Sequence, residues 1–320
     1  MQRPKILNRK RILCLFMKNQ SISRLKITTI TENSATGSCL GQWGLSFLLE
    51  LVDAKGDKRK VVFDSGIDKR ALLQNIERLK IDLSDVDCVV LSHGHLDHTA
   101  ATVEVVKAAG GVRVYAHPHT FLQRFHVDRT GKRRDVGVPQ RERLADIERV
   151  GGTVSLNSKP TEIVPGLWTT GEIERATSFE CPLPLSENEK LIIVVGGKET
   201  DDQILDDLAL WTQVKGAGPY VITGCAHAGI VNTLTHVQKL GCFPELYGAV
   251  GGTHLVGRSE EYLQQTITSL KQFGLELISA CHCTGFKAMT RLWNTFPREF
   301  VLNFSGRVIE SGKEPKPRVT

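Results

Sequence analysis

The sequence predicts an α/β chain folded as an αββα sandwich, two sheets face to face with helices on both outer sides. Three observations lead there. Two β-rich stretches precede the first helical one. Four strand–histidine–helix units then recur along the chain, putting histidines at C-terminal strand ends, where ligands collect in layered α/β folds. The 320 residues contain no linker and no low-complexity segment, so one large domain accounts for them.

Leu25–Ile30 and Gly44–Leu51 read as paired strands, with Val61–Asp64 as the next. Leu72, Leu73, Ile76 and Leu79 recur at helical spacing and predict a helix over 68–80. The apolar run Val86–Leu91 reads as a buried strand, and Thr99–Ala109 as the helix after it. Val112–Ala116 is a short strand ending at His117-Pro118-His119. Residues 123–143, polar and Arg-rich, read as a long excursion near the mouth of the site. Leu167–Gly171 and Leu191–Val195 are further strands. Asp201-Asp202-Gln203 opens a helix-like stretch, Ile204–Trp211, because acids favour a helix N-terminus. Three units close the chain. Tyr220–Thr223 precedes a helix from Ile230 to Leu240, Leu246–Val250 an amphipathic helix from Ser259 to Phe273, and Leu275–Ala280 the stretch Phe286–Phe296.

The loop of the first unit reads Ser92-His93-Gly94-His95-Leu96-Asp97-His98. His93, His95, Asp97 and His98 put four metal-competent side chains into six positions, which packing does not explain. Imidazole with carboxylate suits zinc, manganese or iron. In the second unit Cys225 falls where His93 falls and His227 where His95 falls; the third carries His254 and the fourth Cys281-His282-Cys283. A catalytic site joins about three protein ligands to an open position. His93 and His95 therefore need His227, and Asp97 and His98 need His282. The set exceeds one tetrahedral ion, so two divalent transition metals are expected, zinc first, with manganese or iron as alternatives. Asp97 and His254 are the expected catalytic residues, His254 as substrate ligand or proton donor after Gly251-Gly252. Asp64 is expected to accept the free N–H of a metal-bound histidine.

Bulk properties narrow the classes. Hydrophobic residues are 41% and charged ones 24%, ordinary for a globular protein. Net charge is +6, but residues 1–26 hold eight Lys/Arg and no acid, and the tail 313–320 is basic. Setting these ends aside leaves a core near −4, which argues against a nucleic-acid groove. Residues 1–24 read as a basic extension upstream of a domain spanning 25–310, with 311–320 as a tail; a targeting peptide is the other reading. Ile12–Met17 is too short to span a membrane. Eight cysteines without the spacing of a disulfide scaffold suit a reducing compartment, hence a cytoplasmic location. Cys281 and Cys283 read as small apolar residues, His126 and His236 as surface or helix residues. Arg124, Arg129, Lys132, Arg133 and Arg134 read as a solvated basic loop or, more sharply, as phosphate ligands.

The loop resembles the His-x-His-x-Asp-His signature of the metallo-β-lactamase superfamily. Gly44–Glu50, Phe63-Asp64-Ser65-Gly66, Thr223–Asn232, Gly251–Leu255 and Cys281–Gly285 are similar to one subgroup. That subgroup is the 7,8-dihydropterin-6-methyl-4-(β-D-ribofuranosyl)-aminobenzene-5′-phosphate synthase-like metal-dependent hydrolases, and the resemblance runs from about Leu25 to Ser305. It implies a sandwich of the metallo-β-lactamase type and a dinuclear metal-dependent hydrolase. The substrate it implies is a small phosphorylated or pterin-like metabolite, with no nucleic acid or membrane partner and the oligomeric state left open. Three departures stand out. Cys225 occupies the place of a bridging aspartate in many members, so a thiolate would ligate or bridge there. No histidine occurs near Thr170-Gly171-Glu172, where other members supply one. Gln42-Trp43 replaces the Glu-His common in relatives. The alternatives are a nuclease or phosphodiesterase of the same fold and a non-catalytic metal-binding ligand sensor.

Overall fold

The computed structural model describes residues 21–180, 189–312 and 317–320. Strands β1 (Arg24–Thr31), β2 (Ser46–Val52) and β3 (Lys58–Phe63) form an antiparallel meander. Helix α1 (Lys69–Arg78), capped by the Asp68 carboxylate on Arg70 N, crosses to β4 (Cys88–Val90), parallel to β3. Helices α2 (Leu96–Thr99) and α3 (Thr102–Ala108) lead to β5 (Arg113–Ala116), again parallel. A hairpin, β6 (Arg124–Val127) and β7 (Arg133–Asp135), and helix α4 (Leu144–Arg149) precede β8 (Thr153–Leu156), parallel to β5.

The second half repeats the plan. Strands β9 (Thr161–Val164) and β10 (Leu167–Thr169) pair antiparallel, as do β11 (Lys190–Val195) and β12 (Lys198–Asp201). Strands β13 (Ala209–Val214) and β14 (Gly218–Thr223) follow, then α5 (Ile230–Gly241), β15 (Gly248–Gly252), α6 (Glu260–Leu270), β16 (Leu277–Cys281) and α7 (Phe286–Thr295). β14, β15 and β16 are parallel, and β17 (Val308–Ser311) and β18 (Arg318–Val319) return to the first sheet.

The sheet orders are β18-β17-β1-β2-β3-β4-β5-β8 and β16-β15-β14-β13-β10-β9. Their inner faces share one apolar core, with Phe47, Leu49 and Phe63 from one sheet against Leu210, Tyr220 and Ile222 from the other. A second cluster seals α5, α6 and α7 onto the outer face of one sheet, a third seals α1, α3 and α4 onto the other. This is the αββα sandwich, and the strand alternation behind it is legible in β2, where each inward residue is apolar.

The structure departs from the sequence reading in four places. The excursion over 123–143 contains the β6–β7 hairpin, which joins β11 and β12 in a third sheet of order β12-β11-β6-β7. Its partner strand lies some sixty residues downstream, so no local pattern announces it. Ile204–Trp211 is not helical: Asp202 and Asp206 turn onto Arg124, and Ala209–Trp211 join β13. The helix expected over 99–109 breaks between α2 and α3, where Ala100 N donates to Gly66 O at 3.0 Å. The domain also reaches beyond both ends assigned to it. Ile22, fully buried, bridges to Val214, and Arg318–Val319 pair with β17. The rest of the basic extension, residues 1–20, lies outside the described residues. Cys39, Cys88, Cys225, Cys281 and Cys283 are free thiols, whereas Cys242 is disulfide-bonded, which the cysteine spacing did not suggest. Among the described residues no helix is long and apolar enough to cross a membrane.

Candidate metal centre

The C-terminal ends of β3, β4, β14, β15 and β16 converge on one edge of the sandwich. They carry Asp64, the histidine loop, Cys225 and His227, His254, and His282 respectively. His93, His98, Cys225, His227 and His282 are buried, while His95, Asp97 and His254 face a cavity of about 370 Å³.

Two groups of side chains close on each other. In the first, His93 Nε2 lies 2.9 Å from His95 Nδ1 and 3.2 Å from His227 Nε2. In the second, His98 Nε2 lies 3.1 Å from Cys225 Sγ, and His282 Nε2 lies 3.3 Å from Asp97 Oδ2. The ligand atoms of His93, Cys225 and His227 fall within 4.8 Å of one another, and so do those of His98, Cys225 and His282. Cys225 is common to both sets. His254 packs on His227 with ring centroids 4.1 Å apart. His117 is held elsewhere, its Nε2 2.9 Å from Glu172.

The outer nitrogens of the buried histidines are anchored, and this fixes where their protons sit. Ser92 donates from Oγ to Asp64 Oδ2 at 2.7 Å, so it accepts from His93 Nδ1 at 2.9 Å. His98 Nδ1 donates to the same Asp64 oxygen at 2.7 Å. His282 Nδ1 donates to Asn33 Oδ1 at 2.9 Å, an orientation set by Asn33 Nδ2 donating to His282 O at 3.2 Å. Each ring, when neutral, therefore turns an Nε2 lone pair inward.

In the second group the His282 lone pair faces the Asp97 carboxylate oxygen, and His98 Nε2 faces the Cys225 thiol. Among the described residues the buried His282 Nε2 has no hydrogen-bond partner. A lone pair facing a carboxylate oxygen in a buried site is unfavourable unless a proton or a cation lies between them. Two nitrogens at about 2.0–2.1 Å from one tetrahedral ion would stand about 3.3 Å apart, close to the 3.2 Å between His93 and His227. The donor set of imidazoles, a thiol and a carboxylate is that of a divalent transition metal, so these residues fit such an ion.

The charges agree with that chemistry. Burial, reinforced by the neighbouring imidazoles, holds His93 and His227 well below the ordinary histidine range. His95 falls to about 4, through burial and then Arg124. Neutral imidazoles are the ligating form. His98 is the exception: burial would lower it, but Asp64 and Asp97 outweigh burial and lift the ring to about 9, so it holds a second proton that an ion would have to displace. Burial would raise Asp97, but His98 and His282 hold it far below the carboxylate range. Burial pushes the Cys225 thiol upward, so a thiolate there needs a cation beside it. Burial and Arg258 bring His254 down to about 3, so its ring is neutral near pH 7.

Sequence reasoning missed the supports of the loops. Asp206 Oδ2 accepts from Gly94 N at 2.7 Å, Asp207 Oδ2 accepts from Ala228 N at 2.8 Å, and Leu208 N donates to Ser92 O at 3.0 Å. Three consecutive residues thus tie the β4 loop to the β14 loop. Arg124, fully buried, pairs with Asp206 at 2.5 Å and with Asp202 at 3.1 Å. It is a structural cation, not a phosphate ligand. The adjacent Asp206-Asp207 was a signal that the helix reading of 204–211 obscured. Glycine is needed where these parts meet: a Cβ on Gly94 would stand 2.0 Å from Thr120 O, and one on Gly224 2.1 Å from Ser92 Oγ. His126, read as a surface residue, lines the cavity together with Arg134, because the third sheet folds over the mouth.

Comparison with known proteins agrees with the architecture. The family described as the metallo-beta-lactamase superfamily matches residues 44–227. A Methanocaldococcus jannaschii protein named 7,8-dihydropterin-6-methyl-4-(beta-D-ribofuranosyl)-aminobenzene-5'-phosphate synthase is 30% identical over 301 residues, 92% of this chain and 100% of that one. An uncharacterized protein of the same organism is 30% identical over 285 residues, 88% of this chain and 99% of its own length. Among solved structures, Tm1679, a metal-dependent hydrolase of the beta-lactamase superfamily, superposes with TM-score 0.71 at 23% identity, covering 89% of this chain and 98% of that one. The metallo-beta-lactamase fold protein YhfI from Bacillus subtilis superposes with TM-score 0.50 at 14% identity, covering 90% of this chain and all of that one. The chain belongs to the metallo-β-lactamase superfamily.

Proposed function

We propose that the protein is a metal-dependent hydrolase-type enzyme with two divalent transition metals, acting on a small phosphorylated or pterin-like metabolite. The observation that carries the reading is the position of Cys225, one thiol common to two ligand groups that otherwise use different histidines. His93, His95 and His227 would hold one ion and Asp97, His98 and His282 the other, with Cys225 available to either. Ions held there supply an acidified water and polarise the bond it attacks.

The remaining work falls to the chain. Asp64 and Ser92 keep the Nε2 lone pairs turned inward. Asp206 and Asp207 hold the two loops in register. His254 offers a neutral ring to substrate from the cavity wall. A cavity of about 370 Å³ is the size of a small-molecule site. The Methanocaldococcus relative is named as a synthase of a phosphorylated dihydropterin compound, which supports a phosphorylated pterin-like ligand.

The test is elemental analysis of metal-loaded parent, His95→Ala and Cys225→Ser proteins, alongside a panel of phosphoesters, lactones and pterin phosphates. The expected result is about two metals per parent chain, lower or altered loading in Cys225→Ser with the fold intact, and turnover of a phosphoester that His95→Ala abolishes. Parent protein holding fewer than one metal, or Cys225→Ser matching the parent in loading and metal preference, would overturn the assignment.

A further inference from the structure

Resting on that reading, we infer that the site recognises a bipartite ligand, an aromatic ring stacked on Trp43 and an anionic group held by Arg134. Trp43 is 54% exposed yet lines the cavity beside the metal centre, its ring centroid 5.4 Å from that of His282. Its backbone is fixed on both sides. Gln42 Oε1 accepts from Ile67 N at 2.9 Å and from Asp68 N at 2.6 Å. On the other side Gly44, at φ +152°, sits so close to Asp97 O that a Cβ would stand 2.7 Å from it. A large ring held on an anchored backbone with over half its surface in solvent is a preformed contact surface. Half-exposed Val256 adds apolar wall beside it.

The third sheet supplies the opposite chemistry. His126 and Arg134 are cross-strand partners on β6 and β7, and both line the cavity. Glu189, the acid there, is engaged by His126 at 3.7 Å and by Arg129 at 3.6 Å. Arg134 forms no ion pair among the described residues, so its guanidinium is available for a phosphate or carboxylate. An aromatic surface on one wall and a guanidinium with no ion pair among the described residues on another select a ligand with a ring and an anion at its two ends.

Two phosphonates of equal charge separate the parts: benzylphosphonate, which carries a ring, and methylphosphonate, which does not. Neither has a phosphoester to hydrolyse, so binding to metal-loaded protein is read by calorimetry and by quenching of tryptophan fluorescence. The parent should bind benzylphosphonate about tenfold more tightly. Trp43→Phe should keep most of that preference and Trp43→Leu should bring the two ligands to within about twofold, with methylphosphonate binding unchanged. Arg134→Gln should weaken both by a similar factor. Metal content measured on the same samples separates the two readings. Full loading with benzylphosphonate preference unchanged in Trp43→Leu, or with both ligands unaffected in Arg134→Gln, refutes the bipartite site and leaves the metal centre standing. Parent protein without metal refutes the metal centre itself.

Discussion

Replacing Asp64 with asparagine changes almost no volume but reverses the hydrogen-bonding character of one atom. Asp64 Oδ1 accepts from Ser92 N at 2.7 Å, a bond that the asparagine oxygen can keep. Oδ2 accepts from both Ser92 Oγ and His98 Nδ1, each at 2.7 Å. An amide NH₂ there would face two donors. His98 must then move its proton to Nε2, the atom 3.1 Å from Cys225 Sγ, or lose its anchor. Each hydrogen bond to a charged group contributes about 1.5–3 kcal/mol, and loss of the oxygen behind a metal-ligating histidine typically costs about 10–100-fold in metal affinity. The expected result for Asp64→Asn is one ion weakened by about that factor while the ion on His93, His95 and His227 is weakened less. Competition against a chromogenic chelator, with elemental analysis before and after, reads both sites. Two ions bound with parental affinity would refute the proton assignment and remove the argument that the Nε2 lone pairs point inward.

Other perturbations test the supports and the packing. Gly224→Ala sets a Cβ 2.1 Å from Ser92 Oγ and 2.8 Å from Asp64 Oδ2; it should cost about 2–3 kcal/mol in thermal unfolding and reduce metal content as well. Arg124→Met leaves Asp206 and Asp202 buried without their cation and should destabilise by about 3–5 kcal/mol in denaturant titration, with Arg124→Lys rescuing little because Nε and Nη2 engage different acids. Glu142, which accepts from Val103 N at 2.7 Å, is raised to about 7, chiefly by burial. The folded protein then holds a proton that the unfolded chain releases above about 4.5, so this group's contribution to stability falls as pH rises from 4.5 to 7. Glu142→Gln keeps the acceptor and should be more stable than the parent by about 1–2 kcal/mol at pH 8, allowing for solvent screening, with no gain below pH 4.5; equal pH profiles in chemical denaturation would contradict this.

The parts that sequence reveals here are those written in consecutive residues. β1 to β4, the strands of the closing units and the helices α1, α5, α6 and α7 follow from apolar periodicity and from caps such as Ser259, which accepts from Tyr262 N. The ligand candidates were legible because chemistry crowds them: four in six positions after β4, then a histidine after the strand of each of the three closing units. What stayed hidden is non-local. The third sheet joins β6, too short for its alternation to be read, to β11, a strand the sequence does show but whose partner it does not, and the sheet places His126 and Arg134 in the cavity wall. Asn33, between β1 and β2, orients a histidine 249 residues away, and no spacing rule connects them.

The same contrast explains how two halves of the chain make one site. Each half supplies a sheet ending in metal-competent loops, and the shared apolar core sets only the distance between the sheets. Hydrophobic burial is non-directional, so it leaves the two loops free to slip by more than a metal–ligand bond tolerates. Directional bonds remove that freedom. Asp206 holds Gly94 N, Asp207 holds Ala228 N and Leu208 holds Ser92 O, so three consecutive residues at the start of β13 set the β4 loop against the β14 loop. Arg124 extends the tie to the sheet that covers the cavity mouth. Register between the halves is thus set by buried carboxylates with fixed geometry, and the Asp206-Asp207 pair belongs to the centre as much as the histidines it positions.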